Sequence, residues 1–437
     1  MKKNTPALHV NVLILGGGLT GLSAAYHLEK QGYTDYLLVE KNSFFGGLAA
    51  SEHVNGFTFD YSGHLLHLRD PYALSLVKKL LRGNLIKHTR CAFIDFNGRR
   101  VPFPFQANLW ALPKAVAAEC LSGAQQAARV RQHTPKNFEQ WCLQAFGPGI
   151  YKHFLKPYNT KLWQTDPARL TCDWCGDFIP RPDVKQIAAG ARHVPKKQLG
   201  YNATFYYPRR GGCAALAEAF AAHIPNTWLG ACVQHIDLKH KYAQINGQII
   251  YFKQLLNTLP LPDFVKLCQE VPSAVQQAVK QLKATRVHVL QLAINRAVKP
   301  FHWIYFPQRD VPFFRVGMQS AFSPENAPRD TSSFYVETAQ KITDFNKAQK
   351  AFLNALAQKG IIKKQDKILS AFWRTLAPAY TIYDGKRAAA QRRILRWLTG
   401  KNCLCAGRYG LWEYTFMERN ILQGRDAAAQ FIRGKKK

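Results

Sequence analysis

An apolar run, Val12-Leu13-Ile14-Leu15, leads directly into Gly16-x-Gly18-x-x-Gly21. A helical pattern follows from Leu19 to about Gln31, then a second apolar run, Tyr36-Leu37-Leu38-Val39, closed by Glu40. Strand, glycine turn, helix, strand, acid is the order of a βαβ unit that binds a dinucleotide. Gly16 permits the tight turn, Gly18 lets backbone amides approach a pyrophosphate, and Gly21 lets the helix lie close to the strand. The helix N-terminus adds a partial positive charge for the phosphates. Glu40 can accept hydrogen bonds from an adenosine ribose.

Past Glu40 the chain continues as KNSFFGGLAAS, Lys41 to Ser51, and then GFTFDYSGH, Gly56 to His64. A nicotinamide coenzyme that comes and goes does not need this second glycine pair. FAD is longer and stays bound, so the extension favours FAD. The pattern resembles the flavoprotein group of the amine oxidases, the porphyrinogen oxidases and UDP-galactopyranose mutase. That resemblance implies a cofactor set of Gly16, Gly18, Gly21, Glu40, Lys41, Gly47, Leu48, Gly63 and His64, joined near the C-terminus by Gly407 and Arg408.

With 437 residues the chain can bury a large core and hold two or three subdomains. The formal charge of +33 is the unusual part of the composition. One diphosphate needs two or three cations, so most of this charge lies elsewhere. It can steer anionic nucleotides or give peripheral contact with an anionic membrane. No nucleic-acid motif accompanies it, and no nucleic-acid partner is expected. The ten cysteines sit mostly in apolar runs. Cys172-x-x-Cys175 has no second pair nearby, so no metal site is expected. Reduced cysteines fit a cytoplasmic setting. The basic start and the apolar run Val10 to Leu15 read as a first sheet strand rather than a leader, because the glycine fingerprint begins inside it. No apolar stretch is long enough to cross a membrane.

The expected fold class is α/β. A Rossmann-type FAD domain carries an inserted helical lobe and a mixed or antiparallel substrate sheet. Residues 1–100 form the first part of the FAD domain, 101–200 the helical lobe, 201–235 a return to the FAD domain, 236–400 a sheet-containing substrate domain, and 401–437 a closing FAD-domain strand and helix. Strand-like runs at Cys232 to Ile236, Ile245 to Phe252 and Arg286 to Ile294 suggest the substrate platform.

Five further segments resemble UDP-galactopyranose mutases, the eukaryotic type most closely, and with the N-terminus they cover nearly the whole chain. Val101-Pro102-Phe103-Pro104-Phe105-Gln106 matches the uracil pocket, where Phe103, Phe105 and Gln106 would hold a flat base. Phe103 replaces the family's tyrosine. Lys156 to Trp163 resembles PYNxKxW, whose asparagine, Asn159 here, meets the nucleotide. Asn202, in Tyr201-Asn202-Ala203-Thr204-Phe205, matches an asparagine facing the diphosphate and sugar. Trp303-x-Tyr305 and Arg315 match residues on the substrate and diphosphate. Gly407 to Tyr414 resembles GRxGxWxY, with Arg408 and Tyr414 on the diphosphate, and Tyr380 lies at the family's spacing before them. Two arginines and tyrosine hydroxyls suit a diphosphate on chemical grounds alone.

Two features depart from that pattern. A family arginine falls near Phe178, with Arg181 three residues on. His64 and His67 have the HxxH spacing of the bacterial enzymes, and His64 would lie beside the flavin. The resemblance implies a flavin-dependent isomerase that interconverts UDP-galactopyranose and UDP-galactofuranose through a reduced-flavin N5–sugar adduct, with His64, Arg315 and Arg408 as catalytic residues. A UDP-sugar is the expected partner, FAD in its reduced form the working cofactor, and NAD(P)H a candidate reductant. The sequence leaves two other readings open. One is an FAD-dependent amine or porphyrinogen oxidase, and the other a non-catalytic basic flavin-fold protein at membrane or nucleic acid.

Overall fold

The computed structural model describes residues 7–131 and 133–434, Asp177 by its backbone alone. The strand Leu8–Leu15 runs parallel to Tyr36–Val39 on one side and to Gln248–Asn257 on the other. Its last residues alternate between two cores. Val12 and Ile14 enter one, Leu13 and Leu15 the other, as the period of a strand covered on both faces requires. The full order is Val233–Asp237, Tyr242–Ile245, Gln248–Asn257, Leu8–Leu15, Tyr36–Val39, Thr227–Trp228, with Cys403–Cys405 beside Gln248–Asn257. The helix Leu19–Lys30 covers one face together with Met417–Gly434. It lies so close to the first strand that a Cβ on Gly21 would stand 2.0 Å from the carbonyl oxygen of Gly16.

A second sheet has the order Ile368–Leu376, Val287–Ile294, Ser332–Thr338, Arg315–Met318, Trp303–Tyr305, Ala92–Phe96, Arg99–Pro102. It is antiparallel except where Trp303–Tyr305 meets Ala92–Phe96. The helical lobe is built on Lys114–Arg129, Phe138–Ile150, Lys156–Trp163 and Val184–Arg192, around an aromatic core with Phe138, Phe146, Phe154 and Trp163.

Two expected boundaries need correction. The runs near 232–236 and 245–252 belong to the nucleotide sheet, not to a substrate domain starting at 236, and only Val287–Ile294 enters the antiparallel sheet. Ala92–Phe96 also joins that second sheet, inside the span assigned to the FAD domain. The reason is visible in Gln248–Asn257. One edge, from Gln248 to Tyr251, closes a hairpin with Tyr242–Ile245, while the other, from Ile250 to Asn257 with Leu255 and Leu256 fully buried, pairs with the first strand. Periodicity shows that a strand exists but not which sheet takes it.

Candidate active site

A cleft of about 1420 Å³ runs along the glycine turn, past Gly16, Gly18, Glu40, Lys41, Gly47 and Leu48, to His64, Gly407 and Arg408. Gly18 has φ −77° and ψ 174°, and a Cβ there would meet nothing within 4 Å. The bare backbone therefore faces open space at the start of a twelve-residue helix. The buried Glu40 carboxylate accepts from Gly17 N at 2.8 Å and from Asn42 N and Nδ2 at 2.9 and 2.7 Å. Gly21 lies under the cleft rather than in it, where it sets helix packing.

At His64 and Arg408 the cleft opens into a cavity of about 930 Å³ bordered by Gly63, Asn202, Trp303, Tyr305, Arg315, Tyr380 and Tyr414. That cavity continues into a second of about 710 Å³, reached past Tyr305, Arg315, Tyr380 and Tyr414 and walled by Phe103, Gln106 and Asn159. Strands of the second sheet present Trp303, Tyr305 and Arg315, while the segment after Cys403–Cys405 presents Arg408 and Tyr414.

The two arginines are held differently. Arg315 makes a two-point ion pair with Glu337, through Nε to Oε2 and through Nη2 to Oε1 at 2.9 Å, and its Nη2 also reaches Tyr380 Oη at 3.4 Å. Burial works against the Arg315 charge, but Glu337 outweighs it and holds the guanidinium well above its usual range. Arg408 donates to the carbonyls of Thr415 and Ala379 at 3.2 and 2.8 Å, and lies 4.8 Å over the Tyr414 ring and 5.4 Å over that of Tyr380. Among the described residues no carboxylate stands within ion-pair distance of Arg408. An anion entering the cavity meets one guanidinium already paired and one that is not.

Burial lowers the pKa of His64, with Asp60 opposing and Arg408 adding to the fall. Burial, then Arg69 and Arg90, push His67 down to about 4. Both rings are neutral at pH 7. Burial raises the phenols of Tyr305 and Tyr414, so both stay protonated and can donate.

Residues 19–432 match the sequence model of the flavin containing amine oxidoreductases. The chain belongs to that family. A probable UDP-galactopyranose mutase of Klebsiella pneumoniae is 23% identical over 168 residues, 37% of this chain and 42% of that protein. A probable flavin-containing monoamine oxidase A of Dictyostelium discoideum is 34% identical over 116 residues, 25% of this chain and 24% of that protein. The chain thus aligns with less than half the length of either relative. Among solved structures, a reduced UDP-galactopyranose mutase superposes with TM-score 0.91 at 24% identity, covering 97% of this chain and 95% of its own. A putative protoporphyrinogen oxidase from Exiguobacterium superposes with TM-score 0.74 at 16% identity, covering 98% and 99%. These two share the fold.

The cofactor of this amine oxidoreductase-family flavoprotein is FAD, and the nucleotide cleft fits it. Gly18 leaves room for a pyrophosphate at a helix start, Glu40 stands at the end of the second strand, and the cleft is long enough to reach His64 and Arg408. Fit is less complete on the substrate side. Phe105 is buried in the lobe core, stacked on Phe154 at 5.2 Å, and does not border the cavity. The Asn159 amide reaches the cavity wall, but its ends are tied to Leu155 O at 2.8 Å and Trp163 Nε1 at 3.2 Å. Arg181 lies over Trp141 at 6.0 Å and borders neither cavity, so it does not replace the arginine missing at 178. Phe178 takes that place as a ring stacked on Tyr414 at 4.0 Å. Sequence reasoning missed Glu337, which also accepts from Ser62 Oγ at 2.5 Å. The available signal was a glutamate inside Ser332–Thr338, a strand buried at every position.

Proposed function

We propose that this flavoprotein is a UDP-sugar mutase that interconverts UDP-galactopyranose and UDP-galactofuranose. One observation carries the reading: Arg315, Arg408, Tyr380 and Tyr414 converge on one cavity between the FAD cleft and an aromatic subsite. An oxidase of amines or porphyrinogens has no need of a diphosphate clamp at that place. The likeness in fold to a mutase and the partial match to the Klebsiella protein support the same reading.

In this mechanism the uracil enters the far subsite against Phe103. Gln106 donates its Nε2 to Pro180 O at 2.5 Å, which leaves the buried, unpartnered Oε1 to accept from the base edge. Arg315 uses Nε and Nη2 on Glu337, so its Nη1 is the edge offered to the diphosphate. Arg408 meets the same group from the FAD side, and Tyr380 and Tyr414 add phenolic donors. Trp303, almost fully buried and facing the cavity, packs on the sugar. Reduced FAD, held by Gly16, Gly18, Glu40 and Gly407, would lend an electron pair to the anomeric carbon as UDP leaves and would recover it when UDP returns. As the anomeric C–O bond breaks, UDP leaves with the bonding pair, and Arg315 and Arg408 retain it. The sugar ring opens and recloses through a different hydroxyl, and the retained UDP reforms the bond. His64, kept neutral by burial at the junction of cleft and cavity, can accept or donate a hydrogen bond there without adding charge. Incubating dithionite-reduced protein with UDP-galactofuranose should yield UDP-galactopyranose with no net oxidation. Turnover by strictly oxidised protein, or hydrogen peroxide formed stoichiometrically from an amine or porphyrinogen, would overturn the assignment.

A further inference from the structure

Lys161 is buried, yet it borders neither cavity and has no carboxylate partner among the described residues. Its Nζ lies within hydrogen-bond distance of four backbone carbonyls, which share its three protons: Phe306 at 2.9 Å, Gln308 at 2.8 Å, Val311 at 2.8 Å and Phe313 at 2.6 Å. These four belong to one short excursion, residues 306–314, that joins Trp303–Tyr305 to Arg315–Met318. Two carbonyls lie on each side of its tip at Arg309-Asp310. The loop closes around an ammonium.

The loop cannot satisfy those carbonyls by itself. Pro307 and Pro312 have no N–H to offer, and Phe306, Val311 and Phe313 are buried, which shuts out water. Among the described residues its only backbone ties are Phe306 N to Phe314 O at 2.9 Å and Phe314 N to Glu337 O at 2.8 Å. An unpaired buried carbonyl is costly, so one lysine removes several such penalties at once. Burial pushes the Lys161 pKa down to about 7; Asp310 opposes that fall and Lys359 adds to it.

What the cage connects gives it meaning. The helix Lys156–Trp163 carries Lys161 on one side and cavity residues on the other. Tyr158 packs on Tyr305 at 4.9 Å, and Trp163 packs on Tyr380 at 5.8 Å and on Tyr414 at 6.1 Å. The last caged carbonyl, that of Phe313, lies two residues before Arg315. We propose that Lys161 is a positioning residue: by filling the carbonyl cage of 306–313 it locks the helix bearing Tyr158 and Asn159 against the hairpin bearing Trp303, Tyr305 and Arg315, and so fixes the width of the substrate cavity. This rests on reading the cavity as a diphosphate-sugar site. An ammonium suits the task better than a guanidinium, because four acceptors converge on one point and a planar fork cannot meet them.

The test uses FAD-loaded protein in three forms: wild type, Lys161→Ala and Lys161→Met. Both variants should stay yellow, because no contact of Lys161 reaches the FAD cleft. Both should bind UDP about tenfold or more weakly, with a matching rise in KM. Propylammonium, which replaces the atoms removed in Lys161→Ala, should restore UDP affinity in that variant. It should fail in Lys161→Met, where a side chain fills the channel, and choline should fail in both. Lower thermal stability with unchanged UDP affinity and KM would reduce Lys161 to a structural residue and overturn the proposal. So would a loss that propylammonium does not restore. Hydrogen exchange on the wild type gives a reading that needs no variant. The amides of Phe306 and Phe314, the two that donate to backbone carbonyls, should exchange as slowly as the neighbouring strands without ligand, and fast exchange at both sinks the proposal. If wild-type protein binds no UDP while these two amides are protected, the functional reading fails and the cage stands.

Discussion

The FAD cleft and the substrate cavity are neighbours that share His64 and Arg408, and they are made of different material. The cleft is walled by backbone at Gly16, Gly18, Gly47 and Gly407, fixed by a sheet and a helix start. The cavity is walled by long side chains, and its two arginines are held by a side chain or by carbonyls: Arg315 by Glu337, Arg408 by Thr415 and Ala379. A backbone site fails when something is added to it. A side-chain site fails when something is removed. Charge adds a second contrast. The cavity buries cations, and Arg90 behind its Asn202 wall is another buried one: its pKa is pushed down to about 10 by burial, and it holds Asn202 Oδ1 at 2.5 Å and the carbonyls of Phe103 and Leu199 at 3.0 Å. Carbonyl dipoles stand in for acids there, which leaves positive potential for an anionic substrate.

The sharpest break in this comparison comes from two glycines in one turn. Gly21→Val drives a side chain into the Gly16 carbonyl, and no folded protein is expected. Gly18→Val meets no protein atom, so the variant should fold but lose FAD, giving colourless protein with the circular dichroism of wild-type apoprotein. A yellow Gly18→Val would show that the cleft is not closed by addition.

Removal should be costly on the substrate side. Glu337→Gln leaves the Arg315 guanidinium buried without its counter-charge, and should cost about 3–5 kcal/mol in denaturant titration while FAD stays bound. UDP should then stabilise the variant more than it does wild type, because the diphosphate supplies the missing charge. Equal stabilisation of both proteins would mean the anion does not sit at Arg315.

Acid should unfold the protein through its buried neutral histidines. Burial pushes His302 down to about 3 and His67 to about 4. Both folded-state values lie below the unfolded value near 6.5, so the unfolded chain takes up protons first. Their stabilising effect is complete above pH 6.5 and is lost as the pH falls toward 4, at ~1.4 kcal/mol per unit for each histidine. His302 Nδ1 accepts from Cys91 N at 2.8 Å, which protonation forbids. Stability measured from pH 7 to pH 4 should fall less steeply in His302→Gln. Equal slopes would assign the acid sensitivity elsewhere.

The smallest effects separate cavity from surface. Arg315→Ala and Arg408→Ala should each cost about 1.5–3 kcal/mol in UDP binding by calorimetry, the size of a lost hydrogen bond to a charged group. Arg181→Ala, over Trp141 and away from both cavities, should change it by less than about 0.5 kcal/mol. A large loss at Arg181 would mean the 175–182 segment closes over the ligand.

Legibility follows the same division. The glycine turn was readable because its chemistry lies within one contiguous stretch, from Leu8–Leu15 through Tyr36–Val39. Arg315, Arg408, Tyr380 and Tyr414 were readable only by resemblance, since nothing local distinguishes them from surface arginines and tyrosines. Phe103 and Phe105 look alike in sequence. The first follows the strand Arg99–Pro102 and borders the cavity, and the second enters a short turn that rotates it onto Phe154.

The sequence by itself determined the dinucleotide unit, the core alternation of Val12 to Leu15, and the separation of a helical lobe from the sheets. All are matters of local spacing, which the chain carries as periodicity and glycine placement. Only the tertiary structure decided that Gln248–Asn257 joins the nucleotide sheet, that Glu337 takes half of Arg315, and that Lys161 fills a ring of carbonyls about 150 residues away. Those outcomes depend on which buried polar group finds which partner across the fold. Burial makes an unpaired charge or carbonyl costly, but the partner is chosen by packing and not by neighbourhood in the chain.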